Sequence, residues 1–322
     1  MEALVRNVRS NGARHARARL IVWRPVMTIL VTGSTGTVGT DVVRYLATQD
    51  CDVRAMSRAP EKAEFPSGVT PVKGDLGDPA SVRAALEGVS TLFLLAAVSQ
   101  SEFVQSMSTL NLAVEAGVQN FVYLSAVNAH DLVNVPHFAS KAAMERAITE
   151  LGIAATVVRG GYYMQSDAWF REHIHEKGVY PMPVGQVGVV FVDTRDLAEV
   201  AGRCLLERER SPEPLADETL DVTSIERLNG PALADIWTDL LGHDVRYVGD
   251  DLDAAESLLG NFMPDWMAYE MRTMYARFQE SGMTASAEDQ KRLEALIGRP
   301  MRRYAEFARE LADRWTGSHT SD

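Results

Sequence analysis

The sequence predicts an α/β protein with a doubly wound parallel sheet and a smaller, mostly helical C-terminal region. Three observations support this fold class. Short apolar runs alternate with helix-length stretches as far as Arg159, a glycine-rich turn follows the first apolar run, and residues 230–315 are largely helical in pattern. Alternation of strands with helix-length connections is typical of parallel sheets that are covered by helices on both faces.

The elements of the predicted sheet follow in chain order. Strands are expected at residues 29–31, 53–56, 69–72, 91–98, 121–124 and 155–158. Helices are expected between them at residues 38–48, 79–86, 102–116 and 140–150. Several of the strand-like runs are continuously apolar, as expected for parallel strands that are buried on both faces.

After Arg159 the pattern changes. A further strand is expected at residues 187–192, and the Asp193 carboxylate can cap the following helix, to about Glu207, by accepting N–H groups of its first turn. Asp196 is expected to form a structural ion pair. Residues 211–217 contain prolines and form a linker.

A glycine motif connects the first predicted strand to the first predicted helix, with the spacing G-x-x-G-x-x-G. The first glycine permits a tight turn, the second lets the backbone approach a pyrophosphate, and the third lets the helix pack close to the strand. Free N–H groups at the helix N-terminus would hold the anion. In this position the motif predicts a Rossmann-like dinucleotide-binding domain. The residues expected at the cofactor are Gly33, Ser34, Thr35, Gly36, Thr37, Val38 and Gly39.

The end of the second predicted strand indicates which dinucleotide binds. An acidic residue there would bind the ribose 2′-hydroxyl of NAD, but Ser57 and Arg58 occupy this position. The guanidinium of Arg58 can pair with a 2′-phosphate as a bidentate donor. NADP(H) is therefore expected in preference to NAD(H).

These elements divide the chain into two regions. Residues 27–159 and about 187–209 are expected to form the dinucleotide-binding domain, and residues about 160–186 and 210–315 the substrate-binding region. In an open parallel sheet the ligand crevice lies beyond the carboxyl ends of the strands. Tyr162 and Tyr163 follow the sixth strand and are therefore candidates to stack on a flat substrate, although packing between the two regions would equally explain them.

Charge and composition exclude several classes of protein. The chain of 322 residues has a net charge of -12. Residues 1–26 carry six arginines and one acidic residue, so the remainder carries -17, which argues against a nucleic-acid binder. We expect residues 1–26 to be a disordered basic extension and residues 316–322 to be a tail.

Other features argue for a cytoplasmic protein without a metal. No apolar run reaches the roughly 20 residues of a membrane span. Two cysteines, Cys51 and Cys204, suit a reducing compartment. His173 and His175 are two positions apart, which places them poorly for joint chelation on a helix. A small-molecule substrate is the expected partner. The sequence does not decide between a monomer and a homo-oligomer.

Several segments resemble the NmrA-like family of atypical short-chain dehydrogenase/reductases. The resemblance covers about residues 27–312 and is specific up to about Ala198. It implies an NADP(H)-binding Rossmann-like domain beside a smaller helical region that forms a substrate cleft, and it places Asp75 near the adenine, where a turn residue is the alternative. The segments are the glycine motif, Ser57-Arg58, HFASKAAME at 137–145, TVVR at 156–159 and FVDTRDLA at 191–198.

The resemblance also concerns catalysis. Ordinary short-chain dehydrogenases use a Tyr-x-x-x-Lys pair on one helix face, whereas this sequence has His137 at the Tyr position and retains Lys141. Lys141 is the implied ligand of the nicotinamide ribose. His137 is a candidate proton donor, with a structural role as the alternative. Ser125 does not clearly match the catalytic serine of other dehydrogenases.

The predicted function is that of an NADP(H)-dependent oxidoreductase that reduces a conjugated small-molecule acceptor of the quinone, enone or dye class by hydride transfer. Such acceptors delocalise charge and need no dedicated acid, which suits a site without the tyrosine. The alternative is a non-catalytic NAD(P)-sensing regulatory protein that acts through a protein partner.

Overall fold

The computed structural model describes residues 28–317, which contain twelve strands and ten α-helices. The strands, numbered along the chain, are β1 (Thr28–Val31), β2 (Asp52–Ser57), β3 (Val69–Lys73), β4 (Thr91–Leu94), β5 (Asn120–Ala126), β6 (Ala155–Gly160), β7 (Tyr162–Tyr163), β8 (Val179–Tyr180), β9 (Val189–Val192), β10 (Glu218–Val222), β11 (Arg227–Leu228) and β12 (Arg246–Tyr247). The helices are α1 (Thr37–Leu46), α2 (Pro79–Leu86), α3 (Glu102–Glu115), α4 (Pro136–Glu150), α5 (Thr194–Arg210), α6 (Gly230–Leu241), α7 (Leu252–Leu259), α8 (Asp265–Ser281), α9 (Asp289–Ile297) and α10 (Tyr304–Thr316).

Seven of the strands form one parallel sheet, in the order β3-β2-β1-β4-β5-β6-β10. The chain runs outward from β1 to β3 on one side and from β4 to β10 on the other, so the strand order reverses between β1 and β4. In open sheets of this kind, ligands bind at the carboxyl ends of the strands beside such a reversal. The predicted doubly wound α/β fold is confirmed.

Helices cover both faces of this sheet because successive side chains of a strand point to opposite faces. On β1, Ile29 and Val31 pack with the apolar sides of α1, α5 and α9. Leu30 points the other way and packs with α2, α3 and α4. The strand is fully buried on both sides, which explains its uninterrupted apolar sequence.

A third apolar core lies in the C-terminal half of the chain. It joins helices α6, α8 and α10 to the segment after β5 and to the strands β8 and β9. Its largest buried side chains include Trp237, Tyr180, Tyr275 and Tyr304.

The C-terminal part of the chain also returns to the main sheet. β10 pairs with β6 in parallel, and α9 packs on α5 and β10. The prediction assigned residues 210–315 to the substrate-binding region and did not include this strand. The structure therefore extends the sheet beyond the predicted boundary at residue 209.

Three other predictions differ in detail from the structure. The strand predicted at residues 91–98 ends at Leu94, because the chain then leaves the sheet to contact the glycine turn, where Leu95 N–H donates to Thr32 Oγ1 at 2.8 Å. α4 begins at Pro136 rather than at residue 140, since proline is favoured in the first helical turn. The strand after residue 187 is β9, and it belongs to a separate three-stranded sheet with β7 and β11.

The cap at Asp193 forms as expected, with its side chain accepting the Arg195 N–H. The predictions for residues 1–26, and for most of the tail, lie outside the described residues. No described helix has the length and apolar character that a membrane span requires.

Candidate functional site

The glycine motif forms the turn between β1 and α1. Gly33 has a φ of 60°, in the left-handed region that favours glycine. A Cβ atom on Gly39 would lie 2.1 Å from the Gly33 carbonyl oxygen, so α1 packs against the turn only when this residue is glycine. The Ser34 hydroxyl donates to the Met56 carbonyl at 2.8 Å, which ties the turn to β2. Because the turn directly follows β1, it lies beside the strand-order reversal between β1 and β4.

The N-terminus of α1 has the features of an anion site. Thr35, Gly36 and Thr37 are exposed, no side chain caps the helix, and its first turn holds no acidic residue. The free N–H groups and the positive end of the helix dipole favour a negative group there. Val38 packs its side chain into the core, so it can contribute only through its backbone.

A cavity of about 440 Å³ lies beside this turn at the end of β2. Three basic side chains, Arg44, Arg58 and Lys62, line it together with the carboxylate of Glu64. Arg58 is exposed and pairs with no other described residue. Ser57 also lines the cavity, and its buried hydroxyl has no hydrogen-bond partner among residues 28–317. These residues fit the adenosine end of a phosphorylated dinucleotide, since guanidinium and ammonium groups pair well with phosphate.

A second cavity of about 400 Å³ continues along the glycine turn towards the C-terminal helices. Thr35, Gly36 and Thr37 line one side of it, and Phe307 and Arg314 of α10 line the other. The exposed backbone of the turn is therefore accessible from both cavities.

Lys141 lies in a buried ion pair. Its Nζ is 3.0 Å from Glu102 Oε1 and 3.2 Å from the Leu124 carbonyl oxygen. The relative exposure is 8% for Lys141 and 2% for Glu102. Glu102 Oε2 and the Tyr123 hydroxyl have no hydrogen-bond partner among the described residues. The amine is thus held at the carboxyl edge of the sheet, and its predicted contact with the nicotinamide ribose stays a prediction.

His137 lies one helical turn before Lys141 on α4. Its Nδ1 is 2.7 Å from Glu270 Oε1, and its main-chain N–H donates to the same oxygen at 2.6 Å. Glu270 belongs to α8, so this contact joins α8 to the helix that carries both predicted catalytic residues.

Ser125 donates its hydroxyl to a buried carboxylate, Glu145. His130 Nε2 lies 2.8 Å from the same carboxylate, and Arg159 Nε lies 3.0 Å from it. Burial opposes ionisation of Glu145, but the hydrogen bonds from Arg159, Ser125 and His130 outweigh burial and lower its pKa. The single hydrogen of the Ser125 hydroxyl is therefore used in the bond to Glu145.

The two tyrosines of β7 point to different surroundings. Tyr162 packs edge-on against Phe191 and Phe278, and its hydroxyl is 2.6 Å from that of Tyr275. Tyr163 packs on the core beneath α1 and α5. Burial raises the pKa of each phenol to about 12. Both rings are half-buried and line neither cavity at the glycine turn.

Asp75 is exposed and accepts the Gly77 N–H at 2.9 Å, the geometry of a turn residue. It does not line the cavity at the end of β2. Among residues 28–317, no three His, Cys, Asp or Glu side chains form a group that could hold a metal ion.

Several residues of this site were not predicted from the sequence, among them Arg44, Lys62, Glu102 and Glu270. The sequence does contain an indication of Lys62, because lysine is rare in this chain and this lysine follows Arg58 closely. Arg44 lies eight positions after Gly36 on α1 and had no signal apart from its charge. The two glutamates reach their partners across 39 and 133 positions, respectively.

Three known proteins are similar to this chain over most of its length. The chain is 30% identical over 287 residues to the NAD(P)H azoreductase of Xenophilus azovorans, covering 88% of this chain and 98% of that protein. Its fold matches an NADPH-dependent quinone oxidoreductase of Escherichia coli in complex with NADPH, with a TM-score of 0.76 and 24% identity over 88% of this chain and 99% of the other. It also matches NmrA, a negative transcriptional regulator in complex with NADP, with a TM-score of 0.72 and 19% identity over 93% and 99% of the two chains.

The expected preference for NADP(H) agrees with the cofactors named for these proteins. The sequence profile of the NmrA-like family matches residues 25–307, which include the cavity at the end of β2, most of the residues that line the second cavity, and the Lys141 and His137 contacts. This chain belongs to the NmrA-like family.

Proposed function

We propose that this protein is an NADPH-dependent reductase of a small conjugated acceptor of the quinone, enone or dye class. The observation that carries the proposal is the basic cavity at the end of β2, which adjoins an uncapped helix N-terminus at the strand-order reversal. The names of an azoreductase at 30% identity and of a quinone oxidoreductase from Escherichia coli at 26% identity support the class of acceptor.

Each part of the site has a role in this proposal. Arg58, with Arg44 and Lys62, holds the 2′-phosphate, and the glycine turn holds the pyrophosphate. Lys141 orients the nicotinamide ribose. NADPH, when bound, supplies a hydride. The exposed parts of the half-buried Tyr162 and Tyr163 would contact the acceptor outside the two cavities at the glycine turn.

The acceptor class follows from the groups that the chain lacks. A tyrosine is replaced by His137, and the Ser125 hydroxyl donates to Glu145 rather than facing a substrate carbonyl. An isolated ketone would concentrate the new charge on one alkoxide oxygen, which ordinary dehydrogenases stabilise with two hydroxyl donors. Here the tyrosine is absent and the Ser125 hydroxyl is engaged, so only the His137 imidazole remains. A quinone, enone or azo dye spreads the new charge over its conjugated system, so it places a smaller demand on the protein.

The first test measures NADPH oxidation by the purified protein against a panel of quinones, enones, azo dyes and ketones. We expect turnover with the conjugated acceptors and none with simple ketones.

Arg58→Ala should raise the KM for NADPH about 10- to 100-fold, as expected for the loss of a charge-assisted hydrogen bond, and should change the KM for NADH little. Arg83→Ala, an exposed arginine on α2, is the matched control. Binding of NADPH without hydride transfer to any acceptor would contradict the proposal.

A second candidate function is that of a dinucleotide sensor without turnover. Two observations favour it. Lys141 is already paired with the buried Glu102, and the fold is similar to that of a transcriptional regulator. A sensor should recover a protein partner from a lysate with NADP but not with NADPH, or the reverse. Recovery of the same proteins with NADP, with NADPH and without cofactor would argue against the sensor. The free thiols of Cys51 and Cys204 support a cytoplasmic location for either function.

A further inference from the structure

The contact between Glu270 and His137 involves both the main chain and the side chain of the histidine. Glu270 Oε1 accepts both the main-chain N–H and Nδ1 of His137, at 2.6 and 2.7 Å. The main-chain bond lies in the first turn of α4, where the helix dipole favours a carboxylate. A capping role requires only that bond. The second bond, to the imidazole, therefore calls for a separate explanation.

The imidazole bond determines where the ring carries its hydrogen. A carboxylate only accepts hydrogen bonds, so Nδ1 must carry a hydrogen. In the neutral ring Nε2 is then unprotonated, and in the charged ring Nε2 holds the proton that can leave. Nε2 has no partner among residues 28–317, and a tenth of the side chain stays exposed while only a twentieth of the Glu270 side chain does. The free nitrogen is thus the one that faces out of the pair.

We propose that Glu270 is a positioning residue, which orients His137 so that Nε2 delivers a proton to the acceptor. This inference rests on the proposed reductase function. A quinone gains a hydride from NADPH and the Nε2 proton of the imidazolium, which together make the hydroquinone and leave NADP⁺. His137 remains neutral, keeps Nδ1–H on Glu270 and regains a proton at Nε2 from water. The same hydrogen bond serves before and after the transfer, so the ring need not turn.

The first experiment reads the position of the hydrogen directly, in protein with and without bound NADPH. Nitrogen-15 NMR of the imidazole rings distinguishes the two neutral forms, and His137→Asn identifies the His137 signals among the seven histidines. We expect His137 in the Nδ1–H form. In Glu270→Met, which retains no acceptor, it should shift towards Nε2–H. An unchanged His137 spectrum in that variant, or Nε2–H in the wild type, would overturn the assignment.

His130 is an internal reference in the same spectrum, because it contacts Glu145 through Nε2 at 2.8 Å and should keep that form in every Glu270 variant. Glu270→Gln is a second variant, should the methionine variant not fold. Its amide retains the shape and an acceptor for the main-chain N–H, but it carries no charge. Asp265→Asn removes an exposed carboxylate from the same helix and is the matched control.

The second experiment measures kcat for a conjugated acceptor at saturating NADPH. His137→Asn and Glu270→Met should each lower kcat about 100-fold, the lower end of general acid catalysis, with an unchanged KM for NADPH. Their combination should lose little more, because the two residues act as one unit. Wild-type kcat in both single variants would refute proton delivery while leaving the reductase function intact. If the wild-type protein binds NADPH yet reduces nothing, the proposed function and proton delivery fall together, and the NMR result alone then decides whether Glu270 positions the ring.

Discussion

Three buried glutamates lie around α4, and each is matched to a different basic group. Glu102 accepts from Lys141, Glu145 from Arg159 and His130, and Glu270 from His137. A buried carboxylate is costly unless it is paired and hydrogen-bonded, so these partners explain why acidic residues are tolerated here. The surroundings of α4 consequently contain buried paired charges and not apolar side chains alone.

The ion pair between Glu102 and Lys141 provides a prediction at this scale. Lys141→Met leaves the Glu102 charge buried and unpaired, so the free energy of unfolding should fall by about 3 kcal/mol. Glu102→Gln combined with Lys141→Met removes both charges and should recover most of that loss. Chemical denaturation of the four proteins in a double-mutant cycle measures the coupling. The stable double variant then shows whether Lys141 contributes to NADPH affinity. Additive effects on stability would contradict the coupling.

Asp167 should make stability depend on pH. Its carboxylate is fully buried, and burial raises its pKa to about 6 against the opposing hydrogen bonds of Tyr304, Trp237 and Tyr180. Because the folded state binds the proton more tightly than the unfolded state, the stabilisation is complete below about pH 4 and is lost as the pH rises through about 6. The raised pKa of Asp167 corresponds to a pH-dependent change in the free energy of unfolding on the order of 3 kcal/mol.

The measurement compares wild type with Asp167→Asn by urea denaturation between pH 4 and 7. The wild-type free energy of unfolding, relative to that of the variant, should decrease across this range. A difference that stays constant with pH would show that Asp167 does not titrate there. Asp313→Asn, at an exposed position on α10, serves as the control.

At the scale of elements, the packing of α1 on the glycine turn separates stability from cofactor binding. A methyl group on Gly39 would meet the Gly33 carbonyl at 2.1 Å, whereas on Gly36 it would lie 3.4 Å from the same atom. Gly39→Ala should therefore lower the melting temperature by several degrees and abolish NADPH binding. Gly36→Ala should retain the wild-type melting temperature but bind NADPH at least tenfold more weakly, since its methyl group occupies space next to the pyrophosphate. Equal melting temperatures for both variants would contradict this account.

The same scale shows how far the sequence predicts the fold. All six strands expected before Arg159 form. Continuous apolar runs such as Ile29-Leu30-Val31 have few alternatives to a buried parallel strand, whereas the edge strand β3 is mostly exposed. β10 was missed, since its Glu-Thr-Leu-Asp-Val sequence lies at the sheet edge, where only Leu220 and Val222 are fully buried. An edge strand of five residues tolerates polar side chains and leaves little apolar signal.

The candidate site was predictable only where it is local. The glycine turn and Arg58 belong to one strand-turn-helix unit, so spacing reveals them. Glu270 approaches His137 from α8 over 133 positions, and no local pattern reports such a contact. Glu102 and Glu270 hold the predicted catalytic residues in place. Neither glutamate could be inferred from the spacing around His137 and Lys141.

At the scale of the whole molecule, the segment that leads into α10 is joined to the main-sheet helix α5 through Asp196. Its buried carboxylate accepts from Arg299 at 2.7 Å, from the Arg302 main-chain N–H at 2.6 Å and from the Arg302 guanidinium. These arginines immediately precede α10, whose Phe307 and Arg314 line the cavity next to the glycine turn. The expected structural role of Asp196 is confirmed, and the contact places α10 where it can influence the cofactor site.

This connection predicts that Asp196 affects cofactor binding without touching the cofactor. Asp196→Asn leaves two arginines without their shared carboxylate, and the free energy of unfolding should fall by about 3 kcal/mol. Hydrogen exchange should accelerate first in α10, whereas the strands of the main sheet should stay protected. Because a loosened α10 no longer closes the second cavity, NADPH affinity should also fall several-fold. Glu199→Gln, which contacts Arg299 from a less buried position, should change stability by less than about 1 kcal/mol. Uniform acceleration of exchange over the whole chain would show instead that the two regions unfold as a single unit.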